Sequence, residues 1–378
     1  MSFKSLFTPL QIGSITLKNR ITMSALTRNR AADTYPSDLM KEYYVQRAKG
    51  GAGLIVTEGI LVTRQGTEWP HAPGLWDSKH VAGWKNIVDA VHEAGGHIYA
   101  QVLGRLSHPE AEQQKLAGVP VYGPSAISAR GGKFRTIPGV PGYVTPTAIE
   151  DPWTIIKQFK HAAVNAKEAG FDGVELHGAN GYIVQQFLDS TANLRTDQWG
   201  GSIENRSRFG LEVLKVMVEV FGENVSLKLS PCGGYNDVGM PLQETLDTYS
   251  YFISEADKLK LSYFNLVRYS PSFDVEFDGQ GVPRATKHDV LESYGHLIKN
   301  GKKFLNAGVT AEEGEKLISA GKLDAISIGF NWITHPDLAK RVEHGKPLNN
   351  MPDIPHLQTS KTSGDWATGY TDYPTATY

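Results

Sequence analysis

Short apolar runs of extended character recur along the chain, at residues 21–26, 54–57, 97–102, 174–176, 225–229, 263–267, 304–306 and 325–328. Between them apolar positions return at helical spacing, as in HVAGWKNIVDAVHEAG, TIIKQFKHAAVNAKEAG and IENRSRFGLEVLKVMVEVFG. Many of these helical segments stop at a glycine, at Gly95, Gly170, Gly222, Gly301 and Gly321, as a left-handed helix C-cap favours. The alternation predicts a parallel sheet of the α/β class. Eight strands predict closure into a (β/α)8 barrel that fills residues 1–378 as a single domain, with an open doubly wound sheet as the alternative.

Three stretches depart from the alternation. PLQIGSITLKNR, before the first strand, alternates around Gly13-Ser14 and reads as a hairpin that plugs the amino-terminal mouth of the barrel. Residues 104–151, rich in glycine and proline, leave from the carboxyl end of the third strand, where an excursion of this length is usually functional; it is expected to wall or cover a site. A tail rich in proline, serine and threonine begins near Pro347 and ends in aromatics.

Composition narrows the function classes. Lysine and arginine number 38 against 40 aspartates and glutamates, and a net charge of −2 gives no electrostatic reason to expect nucleic acid or an anionic membrane as partner. No apolar run approaches the roughly 20 residues of a spanning helix, and MSFKSLFTPLQIG does not read as a secretory leader. The single cysteine, Cys232, excludes an intrachain disulfide and a cysteine-rich metal centre and fits a reducing, cytoplasmic setting. The histidines lack metal-ligand spacing, so no metal is expected. Gly50-Gly51-Ala52-Gly53 precedes its strand instead of joining strand to helix, so it reads as a tight turn and not as a dinucleotide fingerprint.

The chemistry concentrates after the fourth strand, in ELHGANGY. His177, Asn180 and Tyr182 fall within a few residues at a strand's carboxyl end, the face where a barrel of this kind holds its active site. Histidine and asparagine can both donate to one oxygen and polarise a carbonyl. Tyrosine, protonated at neutral pH, can serve as a general acid. The alternative is that the three satisfy the loop backbone and one another.

These residues also carry a resemblance. ELHGANGY followed by QFL, RTD, GGSIENR and RF resembles the signature of the Old Yellow Enzyme family of flavin mononucleotide-dependent ene-reductases. The opening LFTPLQIGSITLKNRITMSALTR, and later SLKLSP, the NAG of FLNAGVT, SIGFNWITHPDLAKRV and the closing GYTDYPT, follow in the family's order over nearly the whole chain. The resemblance implies an NAD(P)H-dependent ene-reductase of the NADPH dehydrogenase type. NADPH or NADH reduces non-covalently bound FMN, and hydride then passes to the β-carbon of an α,β-unsaturated carbonyl or nitro compound. His177 and Asn180 would bind the activating oxygen, and Tyr182 would protonate the α-carbon. A specialised enone reductase or isomerase of the same family, a flavin-binding member without turnover, and a flavin-free aldolase using Lys228 are the rival readings.

The same resemblance marks a cofactor bed. Thr27 matches a threonine that hydrogen-bonds the flavin edge and is a mark of the classical branch. Ala25 and Leu26 would line the ring, with Ala25 standing where the family commonly has proline, and Gly59 would let the ring approach closely. Lys228 holds the position of an arginine facing the pyrimidine side; it keeps the charge and loses the planar fork. Gln101 matches the family's flavin-binding glutamine if the chain is two residues shorter after it, whereas an ungapped match would place Tyr99 there; a gap at the strand end is the cheaper of the two, so Gln101 is expected. The phosphate would rest on the backbone of Gly308, Gly329 and Phe330, with Phe330 replacing the usual arginine. Tyr370 matches a tail residue that folds back over substrate, and Arg195 and Arg206 are expected to brace loops. A monomer or homodimer acting on small molecules is expected.

Overall fold

The computed structural model describes residues 3–66, 69–104, 112–130, 144–271, 284–358 and 365–378. Eight parallel strands close into a barrel: β1 (Ile21–Met23), β2 (Ile55–Val56), β3 (Ile98–Leu103), β4 (Gly173–Gly178), β5 (Val225–Leu229), β6 (Tyr263–Val267), β7 (Lys302–Asn306) and β8 (Ala325–Ile328). Each pairs with its neighbours in chain order. The ring shuts where Ile326 of β8 meets Ile21 of β1, and where Ile55 of β2 meets both Met23 and Ile98. Eight helices follow the strands in turn: α1 (Asp38–Lys49), α2 (Ser78–Glu93), α3 (Trp153–Glu168), α4 (Ile203–Phe221), α5 (Leu242–Asp257), α6 (Val290–Tyr294), α7 (Ala311–Ser319) and α8 (Leu338–Glu343).

The apolar runs therefore mark the strands; β4 and β7 extend beyond the runs at 174–176 and 304–306, and two further differences bear on the cavity. The first strand ends at Met23 instead of residue 26: Ser24 N–H still bonds Ile328 O at 2.8 Å, and the chain then leaves the ladder to line the cavity described below. The second strand is cut to two residues and pairing resumes at Ile60–Leu61, against Val102 and Leu103. The interruption at 57–59 is where Gly59 reaches the cavity. Four of the five glycine stops have positive φ, but Gly301 does not; it follows a short 3-10 turn and packs against the Leu261 carbonyl before β7.

The hairpin forms as Leu10–Ile12 paired antiparallel with Ile15–Leu17. Ser14, at its turn, donates its N–H to Asn224 Oδ1 at 2.8 Å, just before β5 begins, so the hairpin sits at the amino-terminal ends of the strands. Its Leu10, Ile12 and Leu17 pack on Leu54, Val56, Tyr99, Tyr263, Phe304 and Ala325, which point into the barrel. Tyr263 and Phe304 stack there at 4.2 Å. Gly173 is required in this layer, because a Cβ would collide with the Tyr99 ring. Leu17→Ala is expected to destabilise the fold by about 2–5 kcal/mol, since the closed barrel cannot collapse into the hole; denaturant unfolding measures it.

Successive residues of a strand alternate faces, so the next inward layer follows two residues on. It is polar: Gln101, Glu175, Lys228, Asn265 and Ser327 are all buried. The interior thus changes from apolar plug to polar floor along the barrel axis, and the floor faces the carboxyl-terminal mouth. The described part of the excursion forms a helix, Glu112–Ala117, and the paired strands Tyr122–Gly123 and Thr147–Ala148. Its residues 105–111 and 131–143, and 359–364 of the tail, lie outside the described residues. No described helix is long and apolar enough to cross a membrane.

Candidate active site

His177 is the penultimate residue of β4, and the chain turns at once through Asn180 (φ 59) and Gly181 (φ 70). Asparagine tolerates the left-handed region, and glycine is needed at 181 because a Cβ there would press on Asn236 Cβ at 2.7 Å and the Tyr235 carbonyl at 2.8 Å. Surrounding side chains pin the turn. Asn180 N–H donates to Ser230 Oγ at 2.8 Å, Gly181 N–H to Gln185 Oε1 at 2.8 Å, and Asn236 Nδ2 to Asn180 O at 2.9 Å. Gln186 Nε2 donates to Gly181 O at 2.7 Å. Ser230, Gln185, Gln186 and Asn236 thus meet the backbone groups of residues 180 and 181.

The three predicted side chains line one cavity of about 1050 Å³ at the carboxyl-terminal mouth. Ala179 N–H donates to His177 Nδ1 at 3.2 Å, so in the neutral ring the proton sits on Nε2 and that nitrogen is a donor. The Tyr182 ring meets His177 edge-on at 4.8 Å, and the two are 7% and 5% exposed. An imidazole donor, an amide and a phenol thus share one wall.

Ala25, Leu26, Thr27, Gly59, Gln101, Lys228, Gly308, Gly329 and Phe330 line the same cavity. Tyr99 does not: it belongs to the plug layer, one step below Gln101 on β3. Lys228 is wholly enclosed and donates Nζ to Ser24 Oγ at 3.0 Å. Burial pushes its ammonium pKa down and the Glu175 charge opposes that. At the β7 end Ala307 (φ 77) and Gly308 (φ 68) are both left-handed. Arg268 holds their carbonyls at 2.6 and 2.8 Å and is itself paired with Glu313 at 2.6 Å, so the peptide planes of that turn are set from outside. Phe330 opens the short helix Phe330–Thr334 and is 61% exposed at the rim.

Tyr370 lies elsewhere. It is fully buried, stacked on Tyr43 at 4.2 Å, with the Arg30 guanidinium 4.5 Å above its ring. Arg28 and Arg30 hold the tail by its carbonyls, at Leu357 (2.8 Å), Gly369 (2.6 Å), His356 (2.7 Å) and Trp366 (2.9 Å). Tyr370 is therefore the tail's anchor, and the tail reaches the cavity through Ile354, Pro355 and Leu357 instead. The excursion was expected to wall the site, yet none of its described residues lines the cavity. Arg195 holds it to one side through Pro124 O and Ile149 O, and Arg206 ties Leu188 O to Glu244, so both arginines brace loops.

Sequence reasoning missed Trp69, Tyr235, Asn306 and Ser327 in the lining. Tyr235 carried a signal, since it follows Gly233-Gly234, whose φ values of 68 and 94 swing it over the mouth. Trp69 lies after the broken second strand and had none.

A polar floor with an ammonium and an amide, and beside it an imidazole, an amide and a phenol at the end of β4, define a (β/α)8 barrel with one polar-lined cavity at its carboxyl-terminal mouth. The model of the NADH:flavin oxidoreductase / NADH oxidase family matches residues 5–349. The chain belongs to that family, among the Old Yellow Enzyme homologues. It is 36% identical over 386 residues to the probable inactive reductase easA of Epichloe festucae var. lolii, covering 99% of this chain and 96% of the relative. It is 35% identical over 379 residues to a probable flavin mononucleotide-dependent alkene reductase of Leishmania infantum, covering 97% and 96%. The old yellow enzyme homologue from Zymomonas mobilis superposes with a TM-score of 0.85 at 32% identity, covering 98% of this chain and 99% of that one. The chain is thus an oxidoreductase of a flavin-dependent family that acts on small molecules.

Proposed function

We propose that the protein is an NAD(P)H-dependent ene-reductase acting on α,β-unsaturated carbonyl or nitro compounds with flavin mononucleotide as cofactor. The observation that carries this reading is the convergence of His177, Asn180 and Tyr182 at the end of β4, between Gln101 on β3 and Lys228 on β5, around one cavity. The residues present suit the cofactor. Gln101 and Lys228 offer polar partners to the ring, Thr27 and Gly59 flank it, and the left-handed turn at Ala307-Gly308 with Gly329 leaves backbone room for a phosphate. Bound flavin supplies a two-electron hydride carrier that a reduced nicotinamide recharges.

The protein's own groups do the rest. His177 Nε2 and Asn180 Nδ2 donate to the carbonyl or nitro oxygen, where negative charge grows as hydride arrives at the β-carbon, so they favour the transition state over the ground state. Tyr182 Oη gives its proton to the α-carbon. An air-free titration tests the whole: the yellow of the purified protein should bleach with NADPH and return with a cyclic enone. A protein that bleaches but does not recover with any enone or nitroalkene refutes the alkene as oxidant. The second reading, flavin binding without turnover, draws on the likeness to the probable inactive reductase; it expects no recovery, whereas retention of Tyr182 favours reduction.

Phe330 bears on affinity. An apolar ring at the rim offers the phosphate only its backbone amide, though Lys346 lines the same cavity. Phe330→Arg is expected to slow flavin loss on dialysis by about threefold to tenfold, from one partly solvated charge-assisted contact.

A further inference from the structure

Glu175 stands two residues before His177 on the inward face of β4 and is wholly buried within the polar floor, level with Gln101. A carboxylate in such a place is costly unless it is hydrogen-bonded. Gln101 Nε2 donates to Oε1 at 2.7 Å. Tyr263 Oη donates to Oε2 at 2.9 Å, with Asn265 Nδ2 at a long 3.5 Å from the same oxygen. Lys228, on the neighbouring strand, is the cation whose charge Glu175 supports.

This arrangement decides which end of an amide faces the cavity. The two ends of a glutamine are alike in shape, and their partners choose between them. A carboxylate only accepts, so the Gln101 end against Glu175 is the NH2 group. Thr57 Oγ1 meanwhile accepts the Gln101 backbone N–H at 3.1 Å and holds its stretch of β3. The remaining end, the carbonyl Oε1, is left for the cavity that Gln101 lines. The pyrimidine edge of an isoalloxazine carries one donor, the imide N–H at ring position N3, between two carbonyl acceptors.

We propose that Glu175 is a positioning residue of the cofactor bed: by holding Gln101 Nε2 it presents the Gln101 carbonyl to the imide N–H of the flavin, and so makes the bed select a ring that donates at that edge. The inference rests on the reading that this cavity holds flavin mononucleotide. A Glu175 that merely packed would alter stability and leave ligand selection alone.

The test compares FMN with 3-methyl-FMN, which lacks the imide N–H. Both are titrated by flavin fluorescence into flavin-stripped wild type, Glu175→Gln, Gln101→Leu and the double variant, with folding checked by circular dichroism. Wild type is expected to prefer FMN by about tenfold or more, the usual consequence of leaving a buried acceptor unmet. A glutamine at 175 can donate as well as accept, so Gln101 can turn over; the preference should fall below about threefold, and the double variant should match Gln101→Leu. A folded Glu175→Gln that keeps the wild-type preference overturns the inference while FMN binding stands. A wild type that binds no FMN overturns the flavin reading and this inference with it. Should Glu175→Gln not fold, neutron diffraction from wild-type crystals decides the matter. Deuterons on the Gln101 atom facing Glu175 support the proposal, and deuterons on the atom facing the cofactor overturn it.

Discussion

Tyr182→Phe should slow reduction of a cyclic enone by about 10²- to 10⁴-fold, the range of a general acid's contribution, while flavin reduction by NADPH keeps its rate. The asymmetry follows from where the proton is needed. Hydride transfer from a nicotinamide to the flavin needs no proton on an α-carbon, whereas saturating an alkene does. The variant should also fold normally. Tyr182 caps the short helix Ile183–Leu188 through its backbone, with no side-chain bond in the cap, and its ring contact with His177 survives in phenylalanine. Stopped-flow measurement of each half-reaction checks this, and equal loss in both would refute the proton-donor role.

Removing the paired donors should be as severe. His177→Ala with Asn180→Ala is expected to weaken binding of a phenol by more than about 100-fold, since a phenolate oxygen stands in for the polarised carbonyl and one such donor alone accounts for about 10²- to 10³-fold in comparable sites. The measurement is the change in the flavin's visible spectrum on adding a simple phenol; no spectral change with the wild-type protein would count against the site. The single variants separate two effects. His177→Ala also strips the Ala179 N–H of its acceptor, which can disturb the turn. Asn180→Gly leaves the backbone bonds at 180 and 181 in place and accepts the φ of 59, so its loss reports the donor more cleanly.

Much of the scaffold was legible because a closed parallel barrel imposes local rules. Each strand is buried on both faces and reads as a short apolar run, as at 225–229, 263–267 and 325–328, where pattern and structure coincide. The run at 21–26 overstated its strand, because Ala25 and Leu26 line the cavity and look like residues that pair in a sheet; the run at 54–57 exceeded its strand by Leu54, which packs in the plug layer, and Thr57. Twelve of the thirteen candidate site residues line the cavity, every one but Tyr370. Most come from strand ends, where position along the chain already determines which mouth a residue faces. Tyr370 could not be placed that way. Its partners Arg28, Arg30 and Tyr43 lie more than three hundred residues earlier, and an aromatic near a terminus carries no mark of what it will stack on.

The sequence by itself determined the alternation of elements, the hairpin ahead of the barrel, and the cluster His177, Asn180 and Tyr182 at a strand's carboxyl end. These are local facts, set by periodicity and by glycine positions a few residues away. Gap placement favoured Gln101 over Tyr99, but only the tertiary structure shows why the two differ, because they share a face of β3 and lie at different depths along the barrel. The tertiary structure also decided that the tail enters through residues 354–357, and that Glu175 turns the Gln101 amide. Those outcomes depend on which side chains of distant strands meet at one level of a closed barrel, and no spacing within a single strand encodes that meeting.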